Sequence, residues 1–153
     1  MVRKIIKFLI IVIIFSIIFS FSNETGEKSS KRSDGLIIRV SQLIINRQLT
    51  EKEKDKVVNM LVVPIRKTAH VIIYLLLGIS IISFYREFTD LDYKSVIICI
   101  VICLMLAIID EIHQLFVAGR SGEIKDVIID EIGSIIGVLS YYKVSLKGRK
   151  KHE

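Results

Sequence analysis

Three short stretches of this sequence hold most of its chemically capable side chains. Asp110-Glu111-Ile112-His113-Gln114 puts two carboxylates, an imidazole and an amide side by side. On a helix, Asp110, His113 and Gln114 fall at i, i+3 and i+4, along one stripe. Lys67, His70 and Tyr74 fall at i, i+3 and i+7, again one stripe. Asp126 and Asp130 begin a third stripe that continues through Gly133 and Gly137, a spacing that lets helices approach closely. Between the first and third stretches lies Ala118-Gly119-Arg120-Ser121-Gly122. Its glycines can turn backbone N–H groups toward an anion, and its arginine can fork onto carboxylate or phosphate.

These residue types admit three kinds of function. In a structural scaffold, the acids pair with Lys67, His70, His113 and Arg120 and fix helix register. In a binding protein, the same groups line a pocket at the level of lipid headgroups. There Lys67 and Arg120 engage anions, while Asp110, Glu111 and Asp126 position those cations and bind any amine on the ligand. In an enzyme, His70, His113, Asp110 and Glu111 supply an acid–base pair or hold a divalent metal for hydrolysis or transfer. Asp110 and His113, one turn apart, could be two ligands of one metal, but the two-histidine HExxH helix is absent. No serine or cysteine elbow for acyl transfer is present either, and nothing in the sequence requires a cofactor. Cys99 and Cys103 stand at i, i+4 in an apolar run without soft partner ligands, so they read as packing residues.

The elements that position these residues are membrane helices. The chain has 153 residues, 52% of them hydrophobic, with one Pro and no Trp, and a mean hydropathy of +0.55. A spanning helix needs roughly 20 residues. The apolar blocks run over 5–21, 69–85, 93–114 and 124–142, so an all-α fold with about four spans is expected. The third span must include the Asp110–Gln114 cluster to be long enough. The first, preceded by Arg3 and Lys4 and carrying Lys7 near its start, resembles a signal anchor that is retained, since Ser20-Phe21-Ser22 is a poor cleavage site. Residues 23–68 form a polar extracytoplasmic insert, flexible over 22–35. From Leu36 onward it becomes a surface helix carrying Leu36, Val40, Leu43 and Ile44 at helical spacing. Glu51 to Met60 is a helical lead-in to the second span, 69–142 is a three-helix membrane core, and 143–153 is a basic cytoplasmic tail.

The formal charge of +6 lies at the chain ends and in the insert. Cations that flank apolar blocks serve orientation and anionic headgroups, and no aromatic–basic interleaving points to nucleic acid. The density of Lys and Arg places both termini in the cytoplasm, in a multi-pass membrane protein; oligomers through Gly133 and Gly137 are equally compatible. With four spans, the start of the second, the end of the third and the start of the fourth share one face. The three polar stretches and the Arg120 loop therefore converge whichever way the protein is oriented.

Arg66-Lys67-Thr68-Ala69-His70 with Tyr74, Asp110-Glu111-Ile112-His113-Gln114 with Phe116, and Gly119-Arg120-Ser121-Gly122 with Asp126 resemble the VanZ-like family in order and spacing. The resemblance covers roughly residues 57–138. It implies a small bacterial envelope membrane protein linked to lowered susceptibility to glycopeptides such as teicoplanin. The implied partners are the bilayer and a lipid-linked cell-wall precursor, an anionic lipid or the drug itself. The matching polar positions are Lys67, His70, Asp110, Glu111, His113, Gln114, Arg120 and Asp126. Two positions depart from the family pattern. Ile73 stands where many relatives carry an acid, which removes a partner from the second span. Ala118 stands where they carry Pro, which should loosen the loop.

Overall fold

The computed structural model describes residues 1–149. These form five helices: α1 (Val2–Ser22), α2 (Gly26–Ile45), α3 (Glu51–Tyr85), α4 (Tyr93–Gln114) and α5 (Ile124–Arg149). Lys150 and Lys151 of the expected basic tail lie outside the described residues.

At about 1.5 Å per residue, the 21 residues of α1 and the 22 of α4 each reach roughly 30 Å, the thickness of a hydrocarbon core. The 35 residues of α3 reach farther, so its charged first turns, the expected lead-in from Glu51, extend past the apolar stretch in one unbroken helix. Glu53 starts it, its carboxylate accepting from Thr50 N at 2.9 Å and Thr50 Oγ1 at 3.0 Å. Asp92 starts α4 by accepting from Ser95 N at 2.7 Å.

Three expectations need correction. Only α1, α3 and α4, three helices rather than four, are long and apolar enough to cross a membrane among the described residues. The 26-residue α5 has the length; what disqualifies it is charge, with Lys125, Asp126, Asp130, Glu131 and Lys143 along it. Secondly, most of the stretch expected to be flexible is the first half of α2. Thr25 caps it, and Lys31 pairs with Glu27 one turn away at 2.6 Å, which together offset its polar composition. Thirdly, Lys143 and Lys147 prolong α5 instead of forming a separate tail. The outer stripe of α2 is apolar as anticipated: Leu36, Val40, Leu43 and Ile44 are all exposed, whereas Ile37 is buried.

α3 and α5 lie side by side in the same direction. A Cβ on Gly133 would strike the Val71 carbonyl, and one on Gly137 would strike that of Leu75. Backbones therefore touch directly, and tight van der Waals packing holds the pair where lipid offers no hydrophobic drive. The core around this seam contains Tyr74, Leu77 and Ile82 of α3, Cys99, Cys103 and Ala107 of α4, and Val138 of α5. Both cysteines are free and fully buried. At one end of the bundle, Lys7 Nζ donates to Ser83 O at 2.8 Å and pairs with Glu87 at 2.5 Å. The last turns of α5 reach the same end, where Ser145 and Leu146 meet Arg86 and Leu91.

Candidate functional site

The opposite end gathers the close of α1 and of α4, the start of α2 and of α5, and the middle of α3. A cavity of about 460 Å³ opens there. Its wall includes Lys67 and His70 from α3, Gln114 from α4, Arg120 from the loop, and Asp126 and Asp130 from α5. Arg66, Ser121 and Glu123 complete its polar rim.

Two cross-helix pairs organise this wall. Lys67 Nζ lies 3.6 Å from Asp126 Oδ1, and His70 Nδ1 lies 3.0 Å from Asp130 Oδ1. Both follow from the seam below them: with α3 and α5 in parallel contact, positions 67 and 70 stand beside 126 and 130. Asp130 is fully buried while the imidazole is partly exposed.

The rest of the anticipated cluster lies beneath or beside the cavity. Asp110 is fully buried and accepts from Ser22 Oγ at 2.7 Å and from Gln114 Nε2 at 3.1 Å. Glu111 accepts from Gln114 Nε2 at 3.1 Å and from Glu123 N at 2.6 Å, so it fixes the entry into α5. Neither acid meets a cation by ion pair among the described residues, although both favour the charge on Arg120. His113 stacks on Phe19 of α1 with ring centroids 4.2 Å apart. Tyr74 is fully buried within the core. The expected convergence therefore divides: Lys67, His70, Gln114, Arg120, Asp126 and Asp130 line the cavity, while Tyr74, Asp110, Glu111 and His113 do not.

Arg120 does not fork onto an acid. Its Nε donates to Glu24 O at 3.1 Å and its Nη2 to Phe21 O at 2.9 Å. The guanidinium thus sits at the C-terminal end of α1, where it adds a second donor to the Phe21 carbonyl that Glu24 N already reaches and complements the helix dipole. Burial first, and the nearby Arg66 second, shift Arg120 below the ordinary arginine pKa. The loop is also tied to α2, since Gly26 N donates to Ala118 O at 3.1 Å. Gly119 supplies the positive φ of 73° this turn requires, and the two glycine backbones touch so closely that no Cβ fits on Gly26. These ties counter the loosening expected from Ala118.

Sequence reasoning missed the contribution of α1 and its sequel: Phe19, Ser22, Glu24 and Gly26. The signal was available, because the parity that places the end of the third span at this face places the end of the first there too. Arg66 and Glu123 also belong to the cavity wall without carrying an expected role.

Several buried atoms have no hydrogen-bond partner among the described residues: Tyr74 Oη, Asp110 Oδ1, His113 Nε2, Asp130 Oδ2 and both carboxylate oxygens of Glu131. Unsatisfied polar groups are sparse in proteins and concentrate where a structure serves something besides stability. No three His, Cys, Asp or Glu side chains among the described residues are placed to hold a metal ion. Asp110 turns to Ser22 and His113 to Phe19, so the one-turn pair anticipated as two ligands does not come together with a third.

Apolar helices of membrane-crossing length around a buried polar end define a helical integral membrane protein. The chain belongs to the VanZ/LLP1 family, whose pattern matches residues 7–146, nearly its whole length. No curated protein and no solved structure matches it.

Proposed function

We propose that this protein acts in the bacterial cytoplasmic membrane to lower susceptibility to glycopeptide and lipoglycopeptide antibiotics such as teicoplanin, through the polar cavity. Both termini are cytoplasmic in this reading, and the cavity lies at the outer face. Arg3, Lys4, Lys7, Arg86 and Lys94 cluster at the end opposite the cavity, as the positive-inside tendency favours. In this reading α5, not apolar enough to cross alone, lies in the bilayer sheltered beside α3, with Asp130 turned toward α3 rather than lipid.

One observation carries the reading: a cavity of about 460 Å³ walled by the Lys67–Asp126 and His70–Asp130 pairs. Charged groups cost up to about 2.5–3.5 kcal/mol each on insertion scales, the value at a helix centre, so ionisable residues gathered on membrane helices mark functional positions. The test is susceptibility of a Gram-positive host expressing the wild type or His70→Ala and Asp126→Asn at matched membrane levels. Protection by the wild type that both variants lose supports the reading. Protection absent, or indifferent to both changes, sinks it.

A second reading is favoured by the His70–Asp130 geometry. A buried carboxylate that orients an imidazole at a cavity wall is an arrangement suited to acid–base catalysis. The reaction would be hydrolysis or transfer on a lipid-linked envelope substrate. Asp130→Asn should then abolish turnover while leaving ligand binding near wild type.

A further inference from the structure

A second, smaller cavity of about 210 Å³ adjoins the polar one. The two share Arg66, His70 and Arg120 as a common wall. The smaller cavity continues against Ile18 and Phe21 of α1 and Ala69 and Ile73 of α3, and is lined as well by Glu24 and Arg32, which pair with each other. Polar and apolar chambers joined at one rim match an amphiphile whose charged group and chain are covalently linked.

The charge at the rim decides the sign of that group. Lys67 is matched by Asp126, and Arg32 by Glu24 at 2.5 Å. Arg66 has no hydrogen bond or ion pair among the described residues. Arg120 spends Nε and Nη2 on the carbonyls of Glu24 and Phe21, which are neutral, and its Nη1 donates to nothing described. Glu123, the remaining acid on the polar wall, is exposed and faces the Ser121 hydroxyl at 3.5 Å. Two guanidiniums without a carboxylate in ion-pair contact among the described residues thus stand at the junction, and Arg66 disfavours the charge on Arg120 while Asp110, Glu24 and Glu111 favour it. An anion between them relieves this repulsion, and guanidinium geometry suits the oxygens of a phosphate.

We propose that Arg66 and Arg120 hold the phosphate of a phospholipid-type ligand at this junction, with the first part of its hydrocarbon chain in the smaller cavity. The inference rests on the reading of the polar cavity as a functional site and names its ligand class.

The test uses the full chain purified in neutral detergent and native mass spectrometry with three probes: dioctanoyl phosphatidic acid, dioctanoylglycerol and inorganic phosphate. The wild type should retain phosphatidic acid at concentrations where neither other probe binds. Arg66→Gln should weaken that binding about tenfold or more, the scale of a charge-assisted hydrogen bond, while Lys67→Gln changes it less. Arg66→Lys, which keeps charge without the fork, should be intermediate and serves if the glutamine variant folds poorly. Equal retention of dioctanoylglycerol, equal binding of free phosphate, or indifference to both Arg66 changes overturns the proposal. Because no drug is involved, the two readings fail separately. Lipid binding by a protein that gives no protection refutes the resistance role alone, and protection without lipid binding refutes the ligand alone.

Discussion

His70 and Asp130 meet at 3.0 Å across the seam of two parallel helices, the imidazole at the cavity wall and the carboxylate wholly buried. Removing the histidine leaves Asp130 without its only described donor, and an orphaned buried acceptor costs about 1–3 kcal/mol, more when charged. His70→Ala should therefore lower the thermal midpoint in detergent, and Asp130→Ala added to it should restore part of the loss. If the double variant is less stable than His70→Ala by the full single effect of Asp130→Ala, the pair is not coupled.

Ser22 Oγ donates to Asp110 Oδ2 across 88 residues of sequence, joining the end of α1 to α4. Asp110 Oδ1 has no hydrogen-bond partner among the described residues, so Ser22→Ala removes one of the few donors this buried group has. A loss of about 1–3 kcal/mol is expected, seen as faster proteolysis between α1 and α2. Unchanged cleavage kinetics would contradict the assigned role of this bond.

The α3–α5 seam and the middle of α2 make opposite predictions for the same change. Gly137→Ala pushes a methyl into the Leu75 carbonyl and should sharply reduce folded, monodisperse protein. Gly35→Ala meets nothing within 4 Å and should stabilise α2 by up to about 1 kcal/mol, through helix propensity. Thermal melts of the two variants side by side check both signs.

At the other end, Lys7 sits 2.5 Å and Arg3 3.1 Å from the Glu87 carboxylate. The hydrogen bond from Lys7 leads in holding Glu87 below its ordinary value of 4.5. A lowered folded value means the contact contributes fully above 4.5 and fades as pH falls through the lower folded value. Hydrogen exchange in the first turns of α1 should accelerate in that acid window, and Glu87→Gln should flatten the dependence. Acceleration that persists in the glutamine variant would assign the effect to another group.

Arg120→Lys keeps the charge but cannot bridge Glu24 O and Phe21 O, which Nε and Nη2 reach together. It should free the loop from α1, read as increased exchange at Gly119 and Gly26. Equal exchange would show that the Gly26–Ala118 bond suffices.

Much of the architecture was legible because apolar runs and their charged borders are local properties. The third span was extended to Gln114 because a shorter run could not cross, and α4 ends there. Parity of the spans brought 67–70, 110–114 and 120–130 to one end without any contact being known. The first half of α2 was misread because its cap and salt links are weak signals beside its polar, serine-rich composition.

By itself the sequence determined which segments are apolar enough to lie in a bilayer, and which end collects the charges, because both depend on composition along the chain. Only the tertiary structure decided which of those charges face the cavity. Whether Asp110 turns toward a ligand or toward Ser22, and whether Asp130 meets His70, depends on helix rotation. That rotation is set where Gly133 and Gly137 let α5 touch the backbone of α3. A stripe of polar residues fixes their common side, but close packing between particular helices fixes what that side faces.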